Sequence, residues 1–521
     1  MTGETATIGF APNRPKAFAL TPDRVLQALI VLAILAVTAQ RLWLSIGLPL
    51  WLDETWTAMI ATQPTWASFW REAWLDCNAP LYYAVEKVWV SLAGDSNAAL
   101  RLPSAVFYYA AAAVPLVWKD HGLDRRVALL WSTVILLWSP GIFITLDARA
   151  YGLLMLESVC GIIAFARAWR RGDSRAFLLW AAIASLQVLT HYFACFLVAF
   201  QGLFLLWRWR VELVKRAYAF LPLLVPVAWT LYHLSRLQDY ARPDVVWYER
   251  TGFDTVAGYV VFTLGGWNPY FAFITLLGLG IALWKSGGRL AGVEAIAERK
   301  DSADASTEGA RMAFVAGGLA LTTILVATAV LSSLTERYLI PVVPSMLLGV
   351  VMFAGRIPRS DLALPFMVAA YAVFALNPPG YAKELRSRSD YGYERQSDFV
   401  ASARPTELVF VWDHPAAKIL DRQSLAQIGE YFLERQGIPV RTKALVLNER
   451  DDPNAAIKAA VERPGTAVIW LYNARRRSAA KLHPPVLAEE AGWRCRDDRR
   501  YLKKKNRKKQ LEVGVLACIT A

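Results

Sequence analysis

The stretch V-L-Q-A-L-I-V-L-A-I-L-A-V-T-A-Q-R-L-W-L-S-I-G-L-P-L runs from Val25 to Leu50, and W-L-D-E-T-W follows it directly from Trp51 to Trp56. The first run is long enough to cross a bilayer, which takes about 20 residues of helix. The second run sets two adjacent carboxylates, Asp53 and Glu54, among tryptophans, where ionised groups are expensive to hold. Together they predict a membrane-spanning helix with a functional segment at its mouth.

The composition of the whole chain also indicates a membrane protein, with a sizeable soluble part. Hydrophobic residues make up 55% of its 521 residues, and the mean hydropathy is +0.31. Charged residues make up 19%, whereas soluble domains carry about 25%. The formal net charge of +14 is explained by where the basic residues lie between the spans, so we expect no nucleic-acid partner.

Apolar runs of near-spanning length recur through the chain and predict about eleven membrane helices. We place them at residues 24–46, 100–118, 127–145, 150–168, 176–190, 191–207, 217–235, 269–284, 312–331, 338–354 and 361–377. Under this assignment six groups of basic residues lie on one side: Arg14/Lys16/Arg24, Lys119/Arg125/Arg126, Arg167/Arg170/Arg171/Arg175, Arg208/Arg210/Lys215/Arg216, Lys285/Arg289/Arg299/Lys300/Arg311 and Arg356/Arg359. The positive-inside rule makes that side cytoplasmic.

This orientation divides the chain into three parts. Residues 1–23 form a cytoplasmic segment, residues 24–377 a transmembrane module, and residues 378–521 a domain on the outer side of the membrane. The first outer loop of the module comprises residues 47–99, and the remaining outer segments are 146–149, 236–268 and 332–337.

The first apolar run also resembles a secretory signal, with basic residues before it and V-T-A at residues 37–39 as a cleavage site. Apolar residues continue through 42–50, which favours an uncleaved span. Both interpretations place W-L-D-E-T-W on the outer side.

Residues 378–521 have the pattern of a small α/β domain. Short buried strands are predicted at residues 408–412 and 467–471, and helices at residues 422–436 and 454–463. Strands that alternate with helices are typical of a sheet covered by helices. Cys495 and Cys518 both lie in this domain, and whether they form a disulfide stays open.

In the first outer loop and at the outer ends of the predicted spans, a charged residue lies beside an aromatic one. These positions are called the outer mouths of the module. These mouths hold C-N-A-P-L-Y-Y (77–83), E-K (86–87), L-D-A-R-A-Y (146–151), H-Y (191–192) and T-E-R-Y-L-I-P (335–341). A carboxylate can accept a proton from a hydroxyl, and arginines can hold a departing phosphate. Aromatic rings can stack on sugars and lipid stems. These residue types suit an enzyme that acts on a lipid-linked phosphate at the membrane surface.

The motifs D-E, N-A-P-L-Y-Y, G-D-S-N-A-A-L-R-L-P-S-A, D-A-R-A-Y, T-H-Y-F and E-R-Y-L-I-P-V-V-P, in this order, resemble the GT-C membrane glycosyltransferases. That superfamily includes protein O-mannosyltransferases, lipid A aminoarabinose transferases and enzymes that glycosylate lipopolysaccharide core. The resemblance covers residues 24–377. It implies an α-helical polytopic fold of GT-C type, with interfacial helices in the first outer loop and a soluble α/β domain after the spans.

The resemblance also implies an activity. A sugar would pass from a polyprenyl phosphate to a hydroxyl of a glycolipid, lipopolysaccharide or protein acceptor, with inversion, at the outer face of the inner membrane. Some members use a divalent metal and others do not, so no cofactor is assigned and a metal requirement stays open.

Roles follow from this resemblance position by position. Asp53 matches the base that activates the acceptor, and Glu54 is the adjacent acid. Arg149 and Arg337 match positions that bind the donor phosphate. The pocket would be lined by Tyr82, Tyr83, Lys87, Tyr151, His191, Tyr192 and Tyr338. One departure stands out, because relatives often have His-Pro-Pro or Lys-Pro-Pro where this chain has N-A-P at residues 78–80.

Two other classes of function stay open from the sequence. A transporter or flippase of a lipid-linked glycan would favour charged residues near mid-span, whereas the charged candidates here lie at the outer ends of the spans, apart from Glu157 inside one. A non-catalytic membrane scaffold would need neither the Asp53–Glu54 pair nor the Arg-Tyr motifs.

Overall fold

The structure is a computed structural model, and it places a helical bundle before a small mixed sheet. It describes residues 22–242, 244–245, 253–265, 303–331, 335–355, 360–377, 380–383, 392–413, 419–448, 450–461, 464–473, 484–502 and 511–520, with a few single positions between them. Residues 1–21 of the predicted cytoplasmic segment 1–23 and most of the predicted span 269–284 lie outside the described residues. So do the basic residues Lys285, Arg289, Arg299, Lys300, Arg356 and Arg359.

The helices of the bundle are apolar on the faces that meet. They are α1 (Pro22–Ser45), α2 (Leu52–Ala61), α3 (Trp66–Leu75), α4 (Leu81–Ala93), α5 (Asn97–Val117), α6 (Arg125–Leu137), α7 (Gly141–Thr145), α8 (Tyr151–Arg171), α9 (Ser174–Thr190), α10 (Ala194–Lys215), α11 (Leu224–Tyr240), α12 (Phe253–Leu264), α13 (Ala303–Leu331), α14 (Val343–Gly355) and α15 (Ser360–Ala375). Helix α8 is the most enclosed of the long ones, since 78% of its most apolar window is buried. It therefore forms the centre of the bundle.

Seven helical segments of the described residues are long and apolar enough to cross a membrane. They are Arg24–Ser45, Asn97–Val117, Tyr151–Arg171, Ala194–Lys215, Ala217–Tyr240, Thr307–Ala327 and Glu336–Gly355. Each corresponds to a predicted span, and the chain is a multi-pass membrane protein. Helices α9 and α15 are apolar but shorter, at 17 and 16 residues. The total of eleven spans stays a prediction.

One predicted span is interrupted in the structure. The run 127–145 was expected to be continuous, but α6 ends at Leu137 and α7 begins at Gly141. Pro140 lies between them; its ring removes a backbone donor and biases the preceding residue away from helix. The interruption brings the turn after α7 close to the start of α2.

The first loop, residues 47–99, folds into the short helices α2, α3 and α4, as expected for interfacial helices. Trp66 and Trp70 of α3 are half exposed, which is typical of tryptophans at a membrane–water interface. The other face of these helices buries Phe69, Tyr82 and Tyr83.

The C-terminal domain is a five-stranded sheet with helices against it. Its elements are α16 (Glu394–Ala401), β1 (Glu407–Trp412), α17 (Arg422–Arg435), β2 (Arg441–Val446), α18 (Pro453–Ala460), β3 (Thr466–Asn473), β4 (Trp493–Leu502) and β5 (Leu511–Thr520). The strand order is β2-β1-β3-β5-β4, with β1 parallel to β2 and β3 and the other pairs antiparallel. The predicted strands and helices are confirmed. Cys495 and Cys518 face each other across β4 and β5 and are disulfide-bonded.

The sheet domain packs directly on the first loop. Phe69 and Tyr82 share one hydrophobic core with Phe410 and Phe432 of the domain. Polar contacts fasten the edges of this core: Ser424 Oγ donates to Glu72 Oε2 at 2.6 Å, and Arg71 pairs with Asp421 at 2.9 Å. The first loop is therefore held between the bundle and the sheet.

Candidate active site

The two adjacent carboxylates of W-L-D-E-T-W lie in the first turn of α2. Acidic residues are favoured there because the unpaired N–H groups of a helix start attract negative charge. The Glu54 carboxylate accepts from the Trp51 N–H at 3.1 Å, as in a capping box. Successive side chains of a helix point about 100° apart, so Asp53 and Glu54 face different surroundings.

Glu54 is fully buried, and both oxygens of its carboxylate accept hydrogen bonds. Arg101 of α5 binds it with two parallel hydrogen bonds, Nε to Oε1 and Nη2 to Oε2, both 2.6 Å long. The Ala148 N–H also donates to Oε1 at 2.9 Å, and Arg101 donates onward to the Leu48 and Pro49 carbonyls. Glu54 thus joins α2 to α5 and to the turn before α8, and it holds Asp53 in place.

The Asp53 carboxylate, by contrast, is one-third exposed and faces a cation. Arg337 Nη1 lies 3.2 Å from Asp53 Oδ2. Arg337 is the second residue of the 3-10 turn Glu336–Val342, and its guanidinium lies over the rings of Trp51 and Tyr151, 5.1 and 5.7 Å from their centroids. The two residues, far apart in sequence, therefore meet at one mouth of the bundle.

Arg149 approaches the same helix turn from the other side. Its Nη1 donates to the Asp53 carbonyl at 3.1 Å and to Thr57 Oγ1 at 3.3 Å. Both arginines singled out from the sequence thus contact Asp53, one at its carboxylate and one at its backbone.

Most of the predicted pocket residues gather around Arg149. One small void is lined by Asn78, Ala79, Tyr82, Tyr83, Arg149, Ala150, Tyr151 and His191. The His191 ring lies 6.0 Å from the Tyr151 ring and 5.1 Å from the Tyr338 ring, measured between centroids. The aromatic wall therefore continues from Arg149 to Arg337.

Two predicted pocket residues lie elsewhere. Lys87 donates to the Gln63 carbonyl, and its Nζ lies 5.4 and 5.7 Å from the ring centroids of Trp66 and Phe69 on α3. The Tyr192 hydroxyl bonds His233 Nδ1 at 2.6 Å and accepts from Trp229. The hydrogen bonds of these two residues thus go to groups other than Asp53, Arg149 and Arg337.

The sequence analysis missed Asp147, which lies between the two arginines. Its carboxylate is buried, and Oδ1 accepts from Trp51 Nε1 at 3.0 Å. Burial and the nearby charge of Glu54 raise the pKa of Asp147 well above its usual range. The signal was present, because Asp147 begins the same D-A-R-A-Y motif that supplied Arg149.

The unusual N-A-P segment has a local explanation. Asn78 Nδ2 donates to Asp76 Oδ2 at 2.8 Å and to the Tyr83 hydroxyl at 3.2 Å, and Tyr83 also donates to Asp76. Asn78 thus orients Tyr83, which lines the same small void as Arg149. Within the described ranges, no three His, Cys, Asp or Glu side chains converge as a metal site.

Comparison with solved structures shows that the chain has the GT-C type fold of the transferase ArnT. ArnT from Cupriavidus metallidurans bound to undecaprenyl phosphate matches with a TM-score of 0.53 and 14% identity, covering 95% of this chain and 97% of that one. The apo state of ArnT matches with a TM-score of 0.52 and 14% identity, over 94% and 97%. The Archaeoglobus fulgidus oligosaccharyltransferase in its apo form is more distant, with a TM-score of 0.45 and 12% identity over 85% and 69%. No protein-family model and no curated protein matches the chain.

Proposed function

We propose that the protein is a membrane glycosyltransferase that moves a sugar from a polyprenyl-phosphate donor to an acceptor hydroxyl, with inversion. The observation that carries this proposal is the meeting of Asp53 with Arg337 at 3.2 Å, while Arg149 holds the backbone of Asp53. A base and two cations at one mouth are the groups that the reaction needs. The fold supports it, since one ArnT structure of the same fold is bound to undecaprenyl phosphate.

In the proposed step, a carboxylate oxygen of Asp53 accepts the proton of the acceptor hydroxyl while the hydroxyl oxygen attacks the anomeric carbon. The bond between that carbon and the phosphate oxygen breaks, and its electron pair leaves with the polyprenyl phosphate. Attack from the face opposite the phosphate inverts the configuration. Asp53 suits this role because its carboxylate is partly exposed and a general base must reach the proton that it abstracts.

Arg337 and Arg149 would stabilise the charge that grows on the departing phosphate. A guanidinium offers several N–H donors in a planar fork and stays charged at any physiological pH. Arg337 uses one nitrogen for Asp53, which leaves others to bind phosphate oxygens. The same arginine would then orient the base and hold the leaving group.

The aromatic wall would hold the sugar, and the bundle would place the reaction at the membrane surface. Tyr82, Tyr83, Tyr151 and Tyr338 can stack on a sugar ring or on the lipid stem. The distribution of basic residues supports an outward-facing site in the inner membrane, with residues 378–521 on the same side. The acceptor is a glycolipid, a lipopolysaccharide or a protein.

A turnover assay with purified protein tests the proposal. Defined polyprenyl-phosphate sugars are supplied with candidate acceptors, and released polyprenyl phosphate and glycosylated product are both scored. We expect Asp53→Asn to lower turnover by about 10²–10⁴-fold, the worth of a general base, while donor binding persists. Asp239→Asn is the matched control, because it removes a half-exposed carboxylate on α11.

Three outcomes would contradict parts of the proposal. Full turnover by Asp53→Asn removes Asp53 as the base. Release of polyprenyl phosphate without any glycosylated product means hydrolysis rather than transfer. Movement of an intact lipid-linked glycan between leaflets, with no phosphate released, favours the flippase alternative.

A further inference from the structure

One face of α11 carries polar side chains to the end of α3. It consists of Trp229, His233, Arg236 and Tyr240, whose spacing of three and four residues places them on the same side of a helix. The residues of α11 that are buried are Pro226, His233 and Arg236, so this helix buries mainly polar groups. Such groups need partners within the protein, because membrane lipid offers none.

His233 is the central group of this face. It is fully buried, and its Nε2 lies 2.8 Å from the Trp74 carbonyl oxygen of α3. A carbonyl can only accept a hydrogen bond, so Nε2 carries a proton. In the neutral ring Nδ1 then accepts from the Tyr192 hydroxyl at 2.6 Å, while Trp229 Nε1 donates to the same hydroxyl at 2.9 Å. A chain of hydrogen bonds thus runs from Trp229, through Tyr192 and His233, to the end of α3.

The carbonyls that α11 binds are ones that α3 cannot use itself. The last four carbonyls of a helix have no partner within it, and α3 ends at Leu75. Arg236 Nε donates to the Leu75 carbonyl at 2.7 Å, and the Tyr240 hydroxyl donates to the same oxygen at 3.3 Å. A backbone carbonyl that loses its partner away from water costs free energy, so these contacts fix where the end of α3 lies.

The turn that follows α3 leads to the candidate active site. Asp76 is the C-cap of α3, and its Oδ2 accepts from Asn78 at 2.8 Å and from the Tyr83 hydroxyl. Tyr83 lines the same small void as Arg149. A shift of the end of α3 would therefore move the carboxylate that orients Tyr83.

We propose that His233 and Tyr192 are positioning residues for the candidate active site: they hold the end of α3 and so keep Tyr83 in place at the void beside Arg149. The proposal rests on the proposed function, in which Tyr83 meets the donor. It gives Tyr192 a role at a distance from the pocket that the sequence analysis expected it to line.

Cys77 lies in the turn after α3 and reports the position of this turn without any turnover. The full-length protein in detergent is treated with N-ethylmaleimide over a time course, and labelled peptides are quantified by mass spectrometry. Burial, and then the nearby charge of Asp76, raise the pKa of the Cys77 thiol, so the wild type should react slowly there, because the thiolate is the reactive form. We expect His233→Phe to speed the labelling of Cys77 by about three- to tenfold, the worth of a lost hydrogen bond, and to leave Cys160 of α8 unchanged.

Two further variants separate the hydrogen bonds from the bulk of the imidazole. His233→Gln keeps an N–H for the Trp74 carbonyl and should label at close to the wild-type rate. Tyr192→Phe removes only a hydroxyl, and it should speed the labelling of Cys77 even if His233→Phe does not fold. Leu231→Ala is the matched control on α11, because its side chain is 67% exposed, and it should label as the wild type does.

The turnover assay then shows whether His233 acts through Tyr83. Residues that act through one group are not additive, so the double variant His233→Phe/Tyr83→Phe should lose less turnover than the product of the two single losses. If the wild type itself shows no turnover with any donor, the proposed function fails, while the labelling of Cys77 still tests the positioning.

Four outcomes would overturn the proposal. Unchanged labelling of Cys77 in the folded His233→Phe and Tyr192→Phe variants would mean that these residues do not hold the turn. An equal rise at Cys77 and Cys160 would mean a general loosening of the fold. Labelling of His233→Gln as fast as that of His233→Phe would remove the hydrogen bond to α3 as the cause. Single turnover losses that multiply in the double variant would show that His233 does not act through Tyr83.

Discussion

Replacing Arg337 separates donor binding from support of the fold, because the two roles have different magnitudes and different observables. Arg337 Nη1 lies 3.2 Å from Asp53 Oδ2, and the side chains are 25% and 33% exposed. Exposed ion pairs contribute about 0.2–1 kcal/mol, and stacking of a cation on a ring such as Trp51 contributes about 0.5–1 kcal/mol. A purely structural Arg337 would therefore stabilise the protein by about 1–2 kcal/mol and leave donor affinity unchanged.

Phosphate binding predicts a different result for the same variant. A charge-assisted hydrogen bond is worth about 1.5–3 kcal/mol, which corresponds to about ten- to more than a hundredfold in affinity. We expect Arg337→Ala to weaken donor binding by that factor. Arg337→Lys should restore part of it, since an ammonium is a point charge without the planar fork.

The assay is a titration of donor binding beside a melting curve for the wild type and both Arg337 variants. Lys87→Ala is the matched control, because it removes a cation of the first loop that contacts the Gln63 carbonyl and not Asp53. Unchanged donor affinity in both Arg337 variants, with a lower melting temperature, would remove Arg337 from the site. An equal loss in Lys87→Ala would mean a general effect of charge.

Three further predictions follow from the fold, its charges and its topology. Arg101→Ala should lower the free energy of unfolding by about 3–5 kcal/mol, because it leaves the fully buried Glu54 carboxylate without its partner; a loss below about 1 kcal/mol in denaturant unfolding would contradict the ion pair. Burial, and then the charge of Glu54, raise the pKa of Glu86 to about 8, so the folded state keeps a proton that the unfolded state loses above about pH 4.3. Stability should therefore fall as pH rises towards 8, and Glu86→Gln should abolish this part of the slope in melting curves, whereas parallel curves for the two proteins would refute it. Alkaline phosphatase fused after Asn377 should be active and a fusion after Arg171 inactive; the reverse pattern would turn the candidate site to the cytoplasm.

Local patterns in the sequence were enough for most of the long helices and for two of the five strands of the sheet domain. Burial of an apolar surface needs a run of apolar residues with the period of its element, and such runs are visible without knowledge of the neighbours. Residues 408–412 and 467–471 became β1 and β3 for this reason. The sequence shows Pro140 but does not show that the helix is interrupted there, because a proline within an apolar span can also be tolerated.

The candidate site could be predicted from the sequence only as a set of residue types. The Asp53–Glu54 pair could be singled out because ionised groups near apolar spans need compensation. Arg149 and Arg337 were assigned to donor binding only by the resemblance to the GT-C enzymes, and whether these residues form a site stays a prediction.

Which residues meet was decided by the tertiary structure alone. Asp53 and Arg337 are 284 positions apart, and adjacent Glu54 turns instead to Arg101. Lys87 points away from the pocket, towards Trp66. These partners depend on the direction in which each side chain leaves its helix and on how the helices pack, and neither is encoded in the local order of residues.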